Sequence, residues 1–138
     1  MIVTGSIELE TRGNADILDI TRAVADRVRE SGIRSGVVTV FCPGSTGAVT
    51  TIEYESGALA DLRRTLDELV PPDRDYAHNR RWGDGNGHSH VRAALLGPSL
   101  TVPFREGRPL LGTWQQIVFC DFDNRPRSRE LVIQIAGE

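Results

Sequence analysis

Residues 115–137 read QQIVFCDFDNRPRSRELVIQIAG. Two runs rich in Ile, Val and Phe, 115–122 and 129–137, flank Asn124-Arg125-Pro126. β-branched and aromatic side chains suit a pleated, half-buried surface, so each run reads as a strand. Asn and Pro between the runs read as a hairpin connection. In an extended chain, residues i and i+2 leave the same face. Asp121 and Asp123 therefore share a face, and so do Arg127 and Arg129.

Outward from this stretch the pattern stays strand-rich. SLTVPF (99–104) and RPLLGTW (108–114) read as strands joined at Gly107. Before them VRAALL (91–96) reads as a short helix ending at Gly97-Pro98. Near the start, residues 2–10 alternate as a strand, and GVVTVFC (36–42) and GAVTTIEYE (47–55) flank a small-residue turn. Residues 16–31 carry Ile17, Ile20, Val24 and Val28 at helical spacing, with Asn14 or Asp16 as the cap and Gly32 as the stop. Residues 57–69 are helical, with Leu59, Leu62, Leu66 and Leu69 on one side, and Pro71-Pro72 ends them. The expected class is α+β, with a mixed or antiparallel sheet system, two main helices on one side, and one domain over 1–138.

Composition narrows the function classes. The formal net charge is -3, and 39% of the residues are hydrophobic. A nucleic-acid surface wants a clustered basic excess, and an anionic membrane wants a polybasic strip; neither is present. No apolar run reaches the roughly 20 residues of a membrane span, and the N-terminus lacks a basic region ahead of an apolar one. A cytoplasmic protein is expected. Cys42 and Cys120 sit in β-type runs outside any Cys-x-x-Cys pattern and read as reduced, buried thiols. There is no lysine, so any anion must be met by Arg, His, backbone N–H groups or a metal.

All three histidines, His78, His88 and His90, lie in the polar, glycine-rich segment 73–90. Long loops inside a compact domain are often functional. Three imidazoles plus water make a catalytic zinc site, so a divalent metal, with zinc the first candidate, is one reading. A solvated loop that happens to hold histidines is the other. His88 and His90 share a side only if extended; in a regular helix they diverge by about 200°. Asn86 is placed to cap a helix there. Ser45 and Thr46, in the turn PGSTG, offer hydroxyls and N–H groups as an anion nest, though most such turns are only turns. Glu53 is a candidate base or histidine-orienting carboxylate, against the commoner solvated strand end. Arg127 and Arg129 either clamp a phosphate or pair with Asp121 and Asp123. Trp114 and Gln115 suit a planar heterocycle or simple packing.

Taken in order, PGSTGAVTTIEYE, Tyr76-x-His78, NGHSH, LLGPSLTVPF, LLGTWQQ and CDFDNRPRSRE resemble the YjbQ-type family, most clearly from 41 to 136. Members of that family are described as secondary thiamine-phosphate synthases. The resemblance implies a compact α+β domain with β-sandwich-like sheets, assembled as a homotrimer. It implies an enzyme that joins a pyrimidine pyrophosphate to a thiazole phosphate. It also places His78, His88, His90 and Glu53 in the catalytic set, and Ser45, Thr46, Asn86, Trp114, Gln115, Arg127 and Arg129 around a phosphorylated substrate. Gly44-Ser45-Thr46 stands where many relatives have His-Thr-Thr, and His88 stands where an acidic residue is common. The alternatives are a metal-dependent hydrolase of a phosphate ester or related bond, and a non-catalytic trimer that binds a metabolite or metal.

Overall fold

A computed structural model describes residues 1–138. Its elements, in chain order, are β1 (Ile2–Thr11), β2 (Asp16–Asp19), α1 (Thr21–Ser31), β3 (Ser35–Phe41), β4 (Gly47–Ile52), α2 (Ser56–Leu69), α3 (Ala77–Trp82), α4 (Gly87–Leu96), β5 (Ser99–Arg105), β6 (Arg108–Pro109), β7 (Gln116–Asp121) and β8 (Arg127–Gly137). The strands form a five-stranded sheet, β1-β8-β3-β5-β6, and a three-stranded sheet, β2-β7-β4, with every pairing antiparallel.

Alternation along the strands explains how the sheets stack. Val38, Val40, Val102, Phe104, Leu131, Ile133 and Ile135 line one face of the large sheet. They share a core with Val49, Ile117 and Phe119 of the small sheet and Val24 and Val28 of α1. The opposite face of the small sheet carries Ala48, Val118 and Cys120, which pack with Leu59 and Leu66 of α2 and Ala93 of α4. β7 is thus buried on both faces, and its unbroken apolar run reflects that. The layers are large sheet, small sheet, then α2 and α4.

Several sequence expectations need correction. Residues 16–19 form β2 rather than the first turn of a helix. Ile17 is buried in either conformation, so its spacing from Ile20 could not separate the two. The Asp19 carboxylate, not the side chain of Asn14 or Asp16, accepts from the Thr21 N–H at the start of α1 (3.0 Å). Gly32 ends that helix in the left-handed region, as expected (φ 73°). The 73–90 segment is not one loop: it contains α3, and α4 begins at Gly87 rather than Val91. β6 covers only Arg108–Pro109 of the RPLLGTW run. Glu106-Gly107 does make a two-residue hairpin turn, with φ positive at both positions. Asn124-Arg125-Pro126 does not make a hairpin, because β7 and β8 belong to different sheets and this segment crosses from one to the other.

The outer face of the large sheet has an unusual composition. Three cross-strand rows run Ile2-Ala136-Val37-Pro103, Thr4-Gln134-Thr39-Thr101 and Ser6-Val132-Phe41-Ser99. None of these twelve residues is charged. Ile2, Val37 and Phe41 on this face are exposed.

Gly36 lies opposite Gly137 between β3 and β8, and a Cβ there would overlap the Ala136 carbonyl oxygen. Gly5 of β1 has open space around it. Gly36→Ala is therefore expected to lower stability by about 2 kcal/mol or more. Gly5→Ala should stay within about 1 kcal/mol of the parent. Urea unfolding midpoints of the two variants check this contrast.

Candidate functional site

Strand alternation brings charge into the gap between the sheets at one end. Thr11 of β1 and Arg127 and Arg129 of β8 follow the inward-facing register of Ile7, Leu131 and Ile133. From the small sheet, Asp121 follows Ile117 and Phe119 on the inner side of β7. Asp121 and Asp123 are fully buried. Arg129 meets Asp121 with a two-pronged fork, Nε to Oδ2 at 2.8 Å and Nη2 to Oδ1 at 2.9 Å. Its Nη2 also donates to the Thr46 hydroxyl (2.7 Å), and that hydroxyl donates to Asp123 (3.1 Å). The Thr11 hydroxyl donates to Asp121 (2.6 Å). Arg127 donates to Asp123 from Nε (3.1 Å) and Nη2 (2.9 Å).

These contacts fix the charge states. Burial pushes the Asp123 carboxyl up, but hydrogen bonds from Arg127, Asn86 and Thr46 outweigh it and leave it below its ordinary value. Its contribution to stability is therefore present at neutral pH and lost as pH falls through that depressed value. The fork on Asp121 raises Arg129 above its ordinary value despite burial. Ion pairing with Asp121 and Asp123 is thus the geometry adopted by both arginines. Arg129 keeps Nη1 free of acceptors, close to Gly44.

The turn tied down by Thr46 faces helix α4. The N–H groups of Ser45 and Thr46 donate to no acceptor in the protein, although Thr46 is only 5% exposed. A cleft of about 220 Å³ runs past Gly44, Ser45 and Gly47 on one side and His90, Ala93 and Ala94 on the other. His90 packs against His78 of α3, with ring centroids 4.4 Å apart and ring planes tilted by 46°. Asp84 Oδ1 approaches His78 Nδ1 to 3.3 Å, off the line of a hydrogen bond, and accepts from the Asn86 N–H (3.1 Å). Asn86 Oδ1 accepts from the Ser89 hydroxyl and from the Asn124 N–H (3.1 Å), which ties the start of α4 to the β7–β8 crossing. Asn79 Oδ1 receives the Gly87 N–H (2.8 Å).

Two of the three histidines therefore meet, and the third does not join them in the cleft. His88 lies within α4, where two residues turn it away from His90. It is 4% exposed and borders a different cavity, with Arg63 and Arg92. Burial and then the Arg92 charge hold its imidazole below the ordinary value. No group of three His, Cys, Asp or Glu side chains stands where it could hold a metal ion within one chain. Glu53, Trp114 and Gln115 sit at the other end of β4 and β7. Six residues of strand, about 17 Å, separate them from the Thr46 turn. Glu53 is exposed and Trp114 is 73% exposed; Gln115 donates to the Thr51 hydroxyl (3.4 Å). Asn79, Asp84 and Thr11 were not singled out in the sequence. Asn79 and Asp84 flank the histidine run closely enough to have been candidates; nothing marks Thr11 before the sheets are known. Cys42 and Cys120 are free and buried, and burial pushes the Cys120 thiol up to about 12.

Comparison with known proteins agrees with this architecture. The sequence model of the UPF0047 YjbQ-like family matches residues 5–138. A UPF0047 protein of Methanothermobacter thermautotrophicus is 41% identical over 99% of this chain and 94% of its own length. The UPF0047 protein YugU of Bacillus subtilis is 33% identical, covering 96% of this chain and 98% of its own. Among solved structures, a YbjQ-like protein of unknown function from Sulfolobus solfataricus superposes with a TM-score of 0.94 at 33% identity, over 100% of this chain and 99% of the other.

Removing one partner of a buried ion pair strands the other charge, which typically costs about 3–5 kcal/mol. Arg129→Met is expected to destabilise the protein by that order, because Asp121 has no exposure to water. The double variant Asp121→Asn/Arg129→Met should recover part of the loss. Denaturant unfolding of both single variants and the double variant measures the coupling; additive losses would show that the pair does not act as a unit.

Proposed function

We infer a function from one premise, that this chain belongs to the UPF0047 YjbQ-like family: we propose that it is a small enzyme acting on a phosphorylated small molecule, with thiamine phosphate formation as the activity that the resemblance of its motifs implies. The observation that carries this reading is the pairing of the His78–His90 imidazoles with a turn whose Ser45 and Thr46 N–H groups lack acceptors. Unpaired N–H groups at a turn favour an anion, and an imidazole beside them supplies or takes a proton.

Joining the two thiamine precursors forms a bond from the thiazole nitrogen to the pyrimidine methylene carbon. The bond from that carbon to the pyrophosphate oxygen breaks, and negative charge develops on the leaving oxygen. Preorganised donors aimed at such charge are the main means of lowering the barrier. In this chain the donors at the cleft are the Ser45 N–H and the His90 imidazole, with the Thr46 N–H and the free Nη1 of Arg129 in the adjoining turn. Asp84 and Asn86 act through the histidines, by holding His78 and the start of α4. Arg127 is occupied with Asp123 and supports the floor of the site. The His78, His88 and His90 set does not fit a three-imidazole metal centre within one chain, so no step is routed through a metal.

His90→Ala is expected to reduce turnover of the two precursors by about a hundred-fold or more, with little change in melting temperature because His90 is only partly buried. Product analysis by chromatography checks it. A parent protein that makes no thiamine phosphate and cleaves none of a panel of phosphate esters, with or without added zinc, would overturn the enzyme reading. Loss of turnover with chelator and its return with zinc would instead restore a metal role.

The same premise supports a homotrimer, with the twelve-residue uncharged patch on the outer face of the large sheet as the contact between subunits; Glu8, Glu10, Glu130 and Arg105 of the same face lie outside the patch. Twelve neutral positions in register on an otherwise charged protein leave nothing to desolvate but small hydroxyls, one amide and apolar groups. Thr39 lies in the middle row, bonded to Thr101 by a hydroxyl contact of 3.0 Å. Thr39→Arg is expected to convert the trimer to monomer at micromolar concentration, as read by sedimentation velocity. A parent that is monomeric, or a variant that stays trimeric, removes this assignment.

A further inference from the structure

The cavity on the other side of α4 belongs to none of the chemistry above. It holds about 150 Å³ and is bordered by Asn14, Ala15, Arg63, Asp67, His88 and Arg92. We propose that it is a second binding site, for a small oxyanion such as the phosphate or carboxylate group of a metabolite.

The argument begins with unused donors. Arg92 is only 3% exposed. Its Nε donates to the Val70 carbonyl (3.0 Å) and its Nη2 to Asp67 (3.0 Å), while Nη1 has no acceptor. Arg63 donates Nε to the Ala15 carbonyl (3.0 Å), and both of its Nη groups are without acceptors. His88, one helical turn before Arg92, is 4% exposed, and its Nδ1 is buried without a partner. Buried polar groups are nearly always satisfied in folded proteins. The almost wholly buried Nη1 of Arg92 and the two Nη groups of the partly exposed Arg63 border one cavity without acceptors, which calls for a ligand that supplies acceptor oxygens.

Charge points the same way. Two guanidinium groups face one carboxylate, Asp67, whose side chain is 64% exposed and so is well screened by water. The pocket is left with a net positive charge. Arginine forks match the oxygen spacing of phosphate and carboxylate. The volume admits the anionic group and a few further atoms, since a water takes about 30 Å³. The wall opposite α4 adds an independent mark. Gly13, Asn14 and Ala15 all have positive φ, at 75°, 54° and 63°. Alanine pays for that conformation, and such strain collects at ligand sites. Here it turns the Ala15 carbonyl onto Arg63 and so sets the guanidinium at the cavity's edge.

This site is independent of the one beside His90, because α4 separates the two and they share no side chain. The experiment follows backbone amide and arginine Nε shifts by heteronuclear NMR while inorganic phosphate, and separately acetate, is added to the full-length protein. Saturable shifts at Asn14, Ala15 and the Nε of Arg63 are expected, at concentrations of the order of millimolar or below. Arg63→Gln should weaken that binding at least ten-fold while leaving any shifts at Ser45 and Thr46 as they are. Stronger saturation by phosphate than by acetate assigns the phosphate class, and the reverse assigns the carboxylate class. If Arg63→Gln does not fold, His88→Gln in the parent background serves the same comparison. Shifts confined to Ser45 and Thr46, shifts at neither site, or variants that bind as tightly as the parent would overturn the proposal.

Discussion

The fork between Arg129 and Asp121 joins the two sheets where no apolar side chain does. Away from this charged end the contacts between the sheets are hydrophobic, and such contacts hold layers together without fixing where one lies along the other. A buried ion pair is weak evidence of net stability, because removing two charges from water offsets most of their attraction. What this pair contributes is position. It requires Asp121 to sit at the end of β7 and Arg129 at the matching depth of β8. Through Nη2 it also holds the Thr46 hydroxyl, which in turn donates a hydrogen bond to Asp123. The Ser45–Thr46 turn is therefore held beside the α4 cleft, which Gly44, Ser45 and Gly47 border, as a consequence of how the sheets are pinned.

Much of this was legible in residues 115–137. The period-two pattern put Asp121 and Asp123 together, and likewise Arg127 and Arg129. The ion-pairing alternative for these four residues is the arrangement adopted. What the pattern could not reveal was the sheet to which each strand belongs. Asn124-Arg125-Pro126 has the chemistry of a tight turn, and turn chemistry is local; whether the chain then pairs back or crosses to another layer depends on residues far away. Residues 16–19 failed for a related reason. Ile17 and Ile20 fit a helical stripe, yet Ile17 pairs with Cys120 across β2 and β7, a contact more than a hundred positions distant.

The histidine segment shows the same boundary at finer scale. A metal site shared by His78, His88 and His90 requires His88 and His90 to lie before the helix or in a distorted first turn, since in a regular helix they diverge, and the structure does not meet that requirement. Where the helix begins decided the matter. Asn86 is fixed by Asp84, Ser89 and Asn124, so α4 starts at Gly87 and both imidazoles fall within it. His90 turns to the cleft, and His88 turns inward to Arg92. The start is also locked by packing, since a Cβ on Gly87 would collide with the Tyr76 side chain at 2.8 Å or less. Neither Asn79 nor Asp84 stood out in the sequence, because their importance is to place the histidines rather than to touch a substrate.

The absence of lysine sharpens the proton chemistry open to the proposed enzyme. Sixteen arginines supply all the side-chain positive charge that is independent of pH. Guanidinium groups do not exchange protons near neutrality, so they orient and neutralise but do not act as bases. Both thiols are buried and raised, which keeps them protonated. Asp121 and Asp123 are committed to the arginines and hydroxyls around them. Of the side chains bordering the cleft, His90 is the one with an imidazole. His88 is buried on the far side of α4, which leaves the His78–His90 pair as the one acid–base element beside the Ser45–Thr46 turn. An enzyme built this way would divide its work cleanly: backbone N–H groups and arginine for charge, and a single pair of packed imidazoles for protons.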